Sequence, residues 1–209
     1  MAFTRNGYGQ VEPNQLSAQK TGQIYASLPL ASDVDILQNG EFMYYDYKSG
    51  TVTADGKGEP MLVFNEVKLY EPFWQTSYKD FAMIRVGDNY VTSRLATAGY
   101  GDGAETKGIA PNPGHSDWQA GYRMDGIAPR LFKTNIGDIL TTNIVETGAE
   151  ITYQQDDTLK LKKVPKAADK TGNTLVLSKT GDIEGLEFVV AKVYTMPDGQ
   201  QGLKLQRIK

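Results

Sequence analysis

Two short segments of this chain are apolar at consecutive positions, and this constrains the fold more than any other feature. In the first, "EFMYYDYKSG" at residues 41–50, the apolar and aromatic side chains occupy both faces of a β-strand: Phe42 and Tyr44 on one face, and Met43, Tyr45 and Tyr47 on the other. The second, "MLVF" at residues 61–64, has the same pattern. A strand with one face in water alternates apolar and polar residues, so both faces of these strands must be covered. We expect strands held between two layers at the domain centre. The alternative is that Tyr45 and Tyr47 press on an arm or a neighbouring subunit.

Turn signals divide the rest of the chain into short β segments. Asn39-Gly40, Asp55-Gly56 and the tripeptide Pro197-Asp198-Gly199 all accept tight-turn geometry. The C-terminal sequence "GLEFVVAKVYTMPDGQQGLKLQRIK" alternates on both sides of its turn, which predicts a hairpin. At most one short helix fits, near residues 13–22. We therefore predict a mainly β protein with a sandwich or barrel-like domain, an extended N-terminal arm, a long ordered loop and little helix.

Composition divides the chain into three parts. Residues 1–30 mix Gly, Pro, Gln and Asn with spaced apolar residues, which predicts an arm lying on another surface, with a disordered terminus as the alternative. Residues 31–150 form the main β domain, interrupted by a long loop at about 86–130 that is rich in Gly and Pro. Residues 151–209 form a C-terminal β subdomain ending in the hairpin. On this interpretation, removing residues 1–28 leaves the β domain folded but weakens assembly.

Charge and cysteine content narrow the class of partner. The chain has 209 residues, no cysteine, a formal net charge of −3 and a pI near 5.3. Disulfides and thiolate metal sites are excluded, and we expect no nucleic-acid partner. No segment approaches the ~18 apolar residues of a membrane span, and the first residues lack the apolar run of a signal peptide, so we expect no membrane contact.

The charge is unevenly distributed along the chain. Residues 151–209 hold 10 Lys and Arg against 7 Asp and Glu, a net of +3, whereas residues 1–150 hold 12 against 18, a net of −6. Two solvated surfaces account for this difference. The alternative is that opposite ends meet between copies in an assembly.

No motif in the chain predicts catalysis or metal binding. His115 is the one histidine, and neighbouring residues in its loop sequence "PNPGHSDWQ" point in different directions, so they do not form a triad. The glycine-rich segment at 98–105 lacks the Lys-Ser/Thr of a P-loop and the spacing of a dinucleotide fingerprint. The acidic segments at 33–35 and 154–158 fit solvated turns better than a calcium loop. We predict a non-enzymatic protein with no catalytic, cofactor-binding or metal-ligating residue.

Exposed aromatic residues suggest contact surfaces instead, because tyrosine tolerates one apolar side and one wet side. The candidate partner-interface residues are Tyr8, Leu16, Ile24, Tyr25, Tyr45, Tyr47, Tyr100, Trp118 and Tyr122. Two hypotheses use such residues. One is a structural protein of an assembly, and the other is a carbohydrate-binding or fibre-type module whose aromatic side chains stack on sugars.

Several segments resemble a family of virion structural proteins of tailed bacteriophages. They include "NGYGQVEPNQLSAQKTGQIYASLP", "ILQNGEFMYYDYKSGTV", "EPMLVFNEVKLY", "PRLFKTNIGDILTTNIV" and "VVAKVYTMPDGQQGLKLQ", and the resemblance runs along most of the chain. It implies a capsid-associated head decoration or cement protein, made in the cytoplasm of the bacterial host and located in the virion. The implied partners are the major capsid protein or other virion proteins, with further copies of this chain as a homo-oligomer in the particle. The resemblance assigns no role to any individual residue, and a fibre or tail module of the virion is the alternative.

Overall fold

A computed structural model describes residues 3, 9–31, 33–34, 36–65, 83–85, 129–166, 172–196 and 199–209. Strands predominate in these residues, with one four-residue helix, which confirms the predicted mainly β class. The elements from the N-terminal third are β1 (Val11–Gln15), α1 (Ala18–Thr21), β2 (Ile24–Tyr25), β3 (Ile36–Gln38), β4 (Phe42–Asp46), β5 (Thr51–Thr53) and β6 (Met61–Val63). The remaining strands are β7 (Met83–Arg85), β8 (Leu131–Phe132), β9 (Ile139–Thr142), β10 (Thr158–Pro165), β11 (Asn173–Ser178), β12 (Ile183–Thr195) and β13 (Gln201–Arg207).

Eleven of these strands form one antiparallel sheet that curls into a half-barrel. Its order is β1-β9-β13-β12-β10-β11-β4-β6-β8-β2, and β5 pairs with β4 beside this path. The remaining two strands, β3 and β7, form a separate two-stranded ladder. The predicted C-terminal hairpin is confirmed as β12 and β13, which pair from Phe188↔Arg207 to Thr195↔Gln201.

Leucine and phenylalanine side chains fill the concave interior of the half-barrel. On β13, Leu203 and Leu205 are fully buried, while Lys204 and Gln206 alternate with them and face outwards. The same alternation on β10 buries Leu159 and Leu161. The largest residues of this interior core that are fully or almost fully buried are Phe42, Phe132, Phe188, Leu62 and Leu140.

The three neighbouring strands β4, β6 and β8 bury both of their faces. One residue from each strand packs into the interior core and an adjacent residue packs into a second cluster on the opposite face: Phe42 and Met43, Leu62 and Val63, and Phe132 and Leu131. The second cluster is covered by the chain itself, because Leu30, Val34 and Leu37 pack over these strands. The predicted two-layer position of the doubly apolar segments is therefore confirmed.

Residues 9–31 supply two strands of the sheet, whereas the sequence predicted that residues 1–30 form an extended arm lying on another surface. Strand β1 pairs with β9 and β2 pairs with β8, so the segment supplies both ends of the sheet order. Between them, Leu16 and Ala18 are buried in the interior core. The backbone changes from strand to helix to strand within 15 residues of sequence, from 11 to 25, so no single hydrophobic period was visible.

Residues 151–209 continue the same sheet, although the sequence predicted a separate subdomain. Strand β11 pairs with β4 at Leu175↔Phe42, and an isolated parallel bridge joins Val145 to Leu177. Leu175 and Leu177 of β11 share the interior core with Phe42 of β4. The described part of the chain therefore shows no structural boundary at residue 150. The loop predicted at about 86–130 lies, up to residue 128, outside the described residues.

The chain leaves the sheet after Asn65 and returns at Arg130, and these two points lie side by side. The Phe64 N–H donates to the Arg130 carbonyl at 3.0 Å, and the Arg130 N–H donates to Asn65 Oδ1 at 2.8 Å. Asn39 fixes the first point, since its Oδ1 accepts from the Asn65 N–H at 2.7 Å and its Nδ2 donates to the Asn65 carbonyl at 3.2 Å. We call these contacts the Asn65–Arg130 base.

Candidate functional site

The structure separates the predicted interface residues into three groups. Tyr8, Tyr100, Trp118 and Tyr122 lie outside the described residues. Leu16 is only 3% exposed and Ile24 packs partly against the same interior core, so both contribute to the fold. The remaining three, Tyr25, Tyr45 and Tyr47, lie together, and we call them the tyrosine row.

The tyrosine row runs from the second hydrophobic cluster out to solvent. The ring centroids of Tyr25 and Tyr45 are 5.3 Å apart, and those of Tyr45 and Tyr47 are 5.1 Å apart with an interplanar angle of 76°. These are the spacings at which aromatic rings attract each other. Tyr45 is 6% exposed and Tyr47 is 73% exposed, so one ring anchors the row and the other presents its surface.

Hydrogen bonds hold the inner end of the row. The Tyr45 hydroxyl shares a hydrogen bond with Ser27 Oγ and accepts another from the Ser27 N–H at 3.2 Å. A buried tyrosine needs such a partner for its hydroxyl, and Ser27 supplies it from the segment that follows β2. The chain after β2 therefore both covers Tyr45 and fixes its orientation.

The outer end of the row is set by the β4–β5 turn. Tyr45 lies in β4 and Tyr47 is the first residue of the turn that follows, and the two rings pack against each other. The Asp46 carboxylate accepts from the Lys48 and Ser49 N–H groups, each at 3.2 Å, which fixes the turn that follows. Hydrogen bonds from Ser49 and then from the Lys48 N–H lower the pKa of Asp46, so this carboxylate is ionised at neutral pH.

Chemically, the outer end of the tyrosine row offers one exposed aromatic ring, Tyr47, to solvent. An exposed aromatic ring held by packing beneath it offers apolar area without losing much side-chain entropy on binding. Tyrosine is also one of the residues that most often contribute strongly to protein interfaces. The same ring face can stack on the apolar face of a sugar, so the geometry fits either kind of partner.

A second candidate site, made of polar residues, surrounds Glu146, and no pattern in the sequence predicted it. The Glu146 carboxylate lies 2.5 Å from Lys162 Nζ, accepts from Thr180 Oγ1 at 3.2 Å and accepts a further hydrogen bond from Ser178 Oγ. An open cleft of about 420 Å³ lies beside it, lined in part by Glu150 and Lys179. The residues come from separate strands and turns of the chain, so their spacing carried no motif.

Burial and hydrogen bonding compete at Glu146. Burial alone would raise the pKa of this carboxyl, but hydrogen bonds from Lys162, Ser178 and Thr180 outweigh it, and the net pKa is lowered. Tyr153 donates its hydroxyl to the Glu146 carbonyl at 2.7 Å, and its own pKa is strongly raised, chiefly by burial. The cluster is a network that joins the middle of β10 and the end of β11 to the segment after β9.

The described ranges show neither a metal-ligand cluster nor a membrane-spanning helix. Within them, no group of three or more His, Cys, Asp or Glu side chains is placed to hold a metal ion. No helix in the same residues is long and apolar enough to cross a membrane.

Comparison with known proteins adds no relative. No protein-family model, curated protein or solved structure matches this chain.

Proposed function

We propose that this chain is a non-enzymatic structural protein of a tailed-phage particle, and specifically a capsid decoration or cement protein that bridges capsid subunits. The tyrosine row is the observation that carries the proposal. It presents Tyr47, 73% exposed, on a turn whose conformation is fixed by Asp46 and on a ring, Tyr45, that is itself held by Ser27. The resemblance of the sequence to phage virion proteins supports the same function.

The fold suits such a role because its core is completed internally. Both faces of β4, β6 and β8 are covered by the chain itself, and the Tyr47 ring at the outer end of the tyrosine row is left exposed to a partner. A protein that holds a shell together needs many simultaneous contacts more than one strong pocket. Repeated weak contacts on a particle add through their high effective concentration.

The test is particle binding by a Tyr47→Ala variant. We expect the variant to fold normally, because Tyr47 is mostly exposed, and to show a loss of roughly tenfold or more in affinity for purified shells that lack the protein, since an interface aromatic contributes about 2 kcal/mol. The matched control is Ile136→Ala, which removes another exposed apolar side chain, 72% exposed, from a different turn. Equal binding by Tyr47→Ala and the control would overturn the proposal.

Copy number provides an independent measurement. A decoration protein approaches the major capsid protein in abundance, whereas a fibre or tail protein is far rarer. Quantitative mass spectrometry of purified particles measures this ratio directly. A particle that contains no copy of this chain would contradict the virion assignment itself.

A carbohydrate-binding or fibre-type module is the second candidate, and the exposed Tyr47 ring favours it as well. The apolar face of a sugar can stack on a rigid aromatic ring. Tyr45 packs against the Tyr47 ring, and Tyr25 packs against Tyr45 in turn. A glycan array probed with the isolated protein distinguishes the two functions. Saturable glycan binding that Tyr47→Ala abolishes, together with a low copy number, would favour the fibre-type module.

A further inference from the structure

The outer face of the β12–β13 hairpin carries two lysines in direct opposition. Lys192 and Lys204 are paired across the two strands. Paired residues of an antiparallel ladder project from the same face, and Leu203 and Leu205 point inwards, so Lys204 and its partner face solvent. Like charges directly opposite each other destabilise a sheet.

Elsewhere on the same face, the chain neutralises its lysines. Lys160 lies 3.5 Å from a Glu184 oxygen and 3.4 Å from a Glu187 oxygen, and Lys209 lies 3.2 Å from Glu187. Among the described residues, Lys192 and Lys204 have no carboxylate at ion-pair distance. Paired and unpaired lysines therefore occur on the same face of the sheet, so lysines without an ion pair are not the rule on this face.

A tyrosine and a carboxylate define the border of this basic face. Tyr194 donates its hydroxyl to Glu12 and lies 3.1 Å from Thr141 Oγ1, and this network holds its half-buried ring beside the lysine pair. Tyr194 follows Lys192 by two positions on β12, so its ring lies on the same outer face as the two lysines. The result is an outward-facing surface with two cations and one half-buried tyrosine ring beside them.

We propose that the Lys192–Lys204 face binds a carboxylate-rich segment of another protein, which supplies the counter-charges that this chain lacks there. Two lysine side chains at the spacing of neighbouring strands match the Asp or Glu side chains of an extended acidic segment. The assignment does not depend on the phage function, because it concerns other strands and another kind of contact from the tyrosine row.

A protein segment fits this face better than a nucleic acid. The chain carries a net charge of −3, and the lysine pair has Glu12 on one side and the Glu184 and Glu187 pair farther along the same face. A nucleic acid that crossed this face would bring its successive phosphates close to these carboxylates, which would repel them. Nucleic-acid binders instead present a continuous basic stripe. A short acidic segment requires only the local pair of cations.

The experiment measures binding of a fluorescently labelled hexaglutamate peptide to the full chain by anisotropy, at low and at moderate salt. We expect the double variant Lys192→Gln/Lys204→Gln to bind about fivefold more weakly, since exposed charge pairs each contribute up to about 1 kcal/mol. The control, Lys48→Gln/Lys57→Gln, removes the same charge from exposed lysines elsewhere and is expected to bind like the original chain. The affinity should also fall as salt increases.

A second measurement separates a binding role from a merely structural one. Removing the like-charge opposition should leave the melting temperature unchanged or higher in Lys204→Gln, while affinity falls. Absence of peptide binding by the original chain, or equal losses in the double variant and its control, would overturn the proposal. Tighter lysine-dependent binding to a single-stranded oligonucleotide would overturn it in favour of a polyphosphate. Self-association that the same substitutions abolish would assign the face to a second copy instead.

Discussion

Arg207 connects four parts of the fold through one buried side chain. It is 7% exposed, and its Nη1 lies 2.5 Å from Glu59 Oε1 and also donates to the Thr134 carbonyl. Its Nε donates to the Lys209 carbonyl at 2.7 Å, and its Nη2 reaches the Gly185 carbonyl at 3.4 Å. A buried cation is tolerated when its donors are satisfied in this way, so one end of the half-barrel is fixed by polar contacts.

The Glu146 cluster predicts how stability depends on pH. The folded-state pKa of Glu146 is below its ordinary value of 4.5, so the stabilisation is present above that value and is lost as pH falls through the lower folded pKa. We expect Glu146→Gln to unfold at a lower temperature than the original chain at pH 7 and to show a smaller decrease on acidification. Thermal unfolding followed by circular dichroism at neutral and acid pH measures both effects.

Glu150→Gln is the matched control for this prediction. Glu150 lines the same cleft but is exposed and makes no hydrogen bond or ion pair with the described residues. It should therefore show the pH dependence of the original chain. Identical acid profiles for the original chain and Glu146→Gln would show that the cluster contributes nothing to acid stability.

Residue-scale prediction from sequence succeeded where the cause was local. The Asn39-Gly40 pair predicted a turn, and the structure has one there, with Gly40 at φ +91°. The reason that only glycine fits was not local, because a Cβ at this position would lie 2.4 Å from Thr142 Oγ1. The Glu146 cluster was likewise invisible, because Lys162 and Ser178 reach it only through strand pairing.

At the scale of elements, the segment from β1 to β2 is the main difference between expectation and structure. It connects the two ends of the half-barrel through α1, where the Ser17 N–H and Oγ donate to the Asp138 carboxylate at 3.0 Å and 3.1 Å. Asn135 Nδ2 donates to Ser17 Oγ at 2.7 Å and to Gln23 Oε1 at 2.9 Å. These bonds fasten the segment to the chain between β8 and β9.

Because this segment is part of the sheet, its deletion should not leave the β domain folded, as was expected for an arm. We now expect deletion of residues 1–28 to abolish cooperative unfolding, because it removes both sheet ends and part of the interior core. The point substitution Leu16→Ala should lower the free energy of unfolding by about 2–5 kcal/mol, as for other buried leucines. Urea denaturation measures this change, and Ile136→Ala, at an exposed position, should remain within about 0.5 kcal/mol of the original. A truncated chain that unfolds like the full chain would restore the interpretation of residues 1–30 as an arm that the β domain does not need for folding.

Element prediction was most reliable where hydrophobic period and turn chemistry agreed. The hairpin of β12 and β13 had alternation on both arms and a Pro-Asp-Gly turn, and it was predicted at nearly its observed position. The strands β4 and β6 were predicted from apolar residues at consecutive positions of the sequence. Strand order was not predictable, since β13 inserts between β9 and β12 and no local sequence signal specifies that neighbour.

At the scale of the whole molecule, the Asn65–Arg130 base predicts that the half-barrel folds without residues 66–128. Strands β6 and β8 are antiparallel neighbours paired at Leu62↔Phe132 and Val63↔Leu131. A two-residue Asn-Gly turn between Asn65 and Pro129 suits such a register. We expect the shortened chain to keep its β-type circular dichroism and to unfold cooperatively, with some stability lost because β3 loses its partner β7.

A longer deletion is the control for this prediction. Removing residues 62–132 also removes Leu62 and Phe132, which lie in the interior core, and should prevent folding. If both deletions give chains without a cooperative transition, the half-barrel does not fold independently of residues 66–128. Differential scanning calorimetry compares the two variants directly.

The pairing of distant strands has a consequence for synthesis on the ribosome. Strand β9 lies between β1, made long before it, and β13, made long after it, so both of its hydrogen-bonding edges depend on remote segments. Such non-local topologies fold slowly. While the nascent chain is incomplete, Val11 and Leu16 of the early segment lack the leucines of β13 that later share their core. We therefore expect the early segment to stay incompletely packed until β13 has been made and can pair with β9.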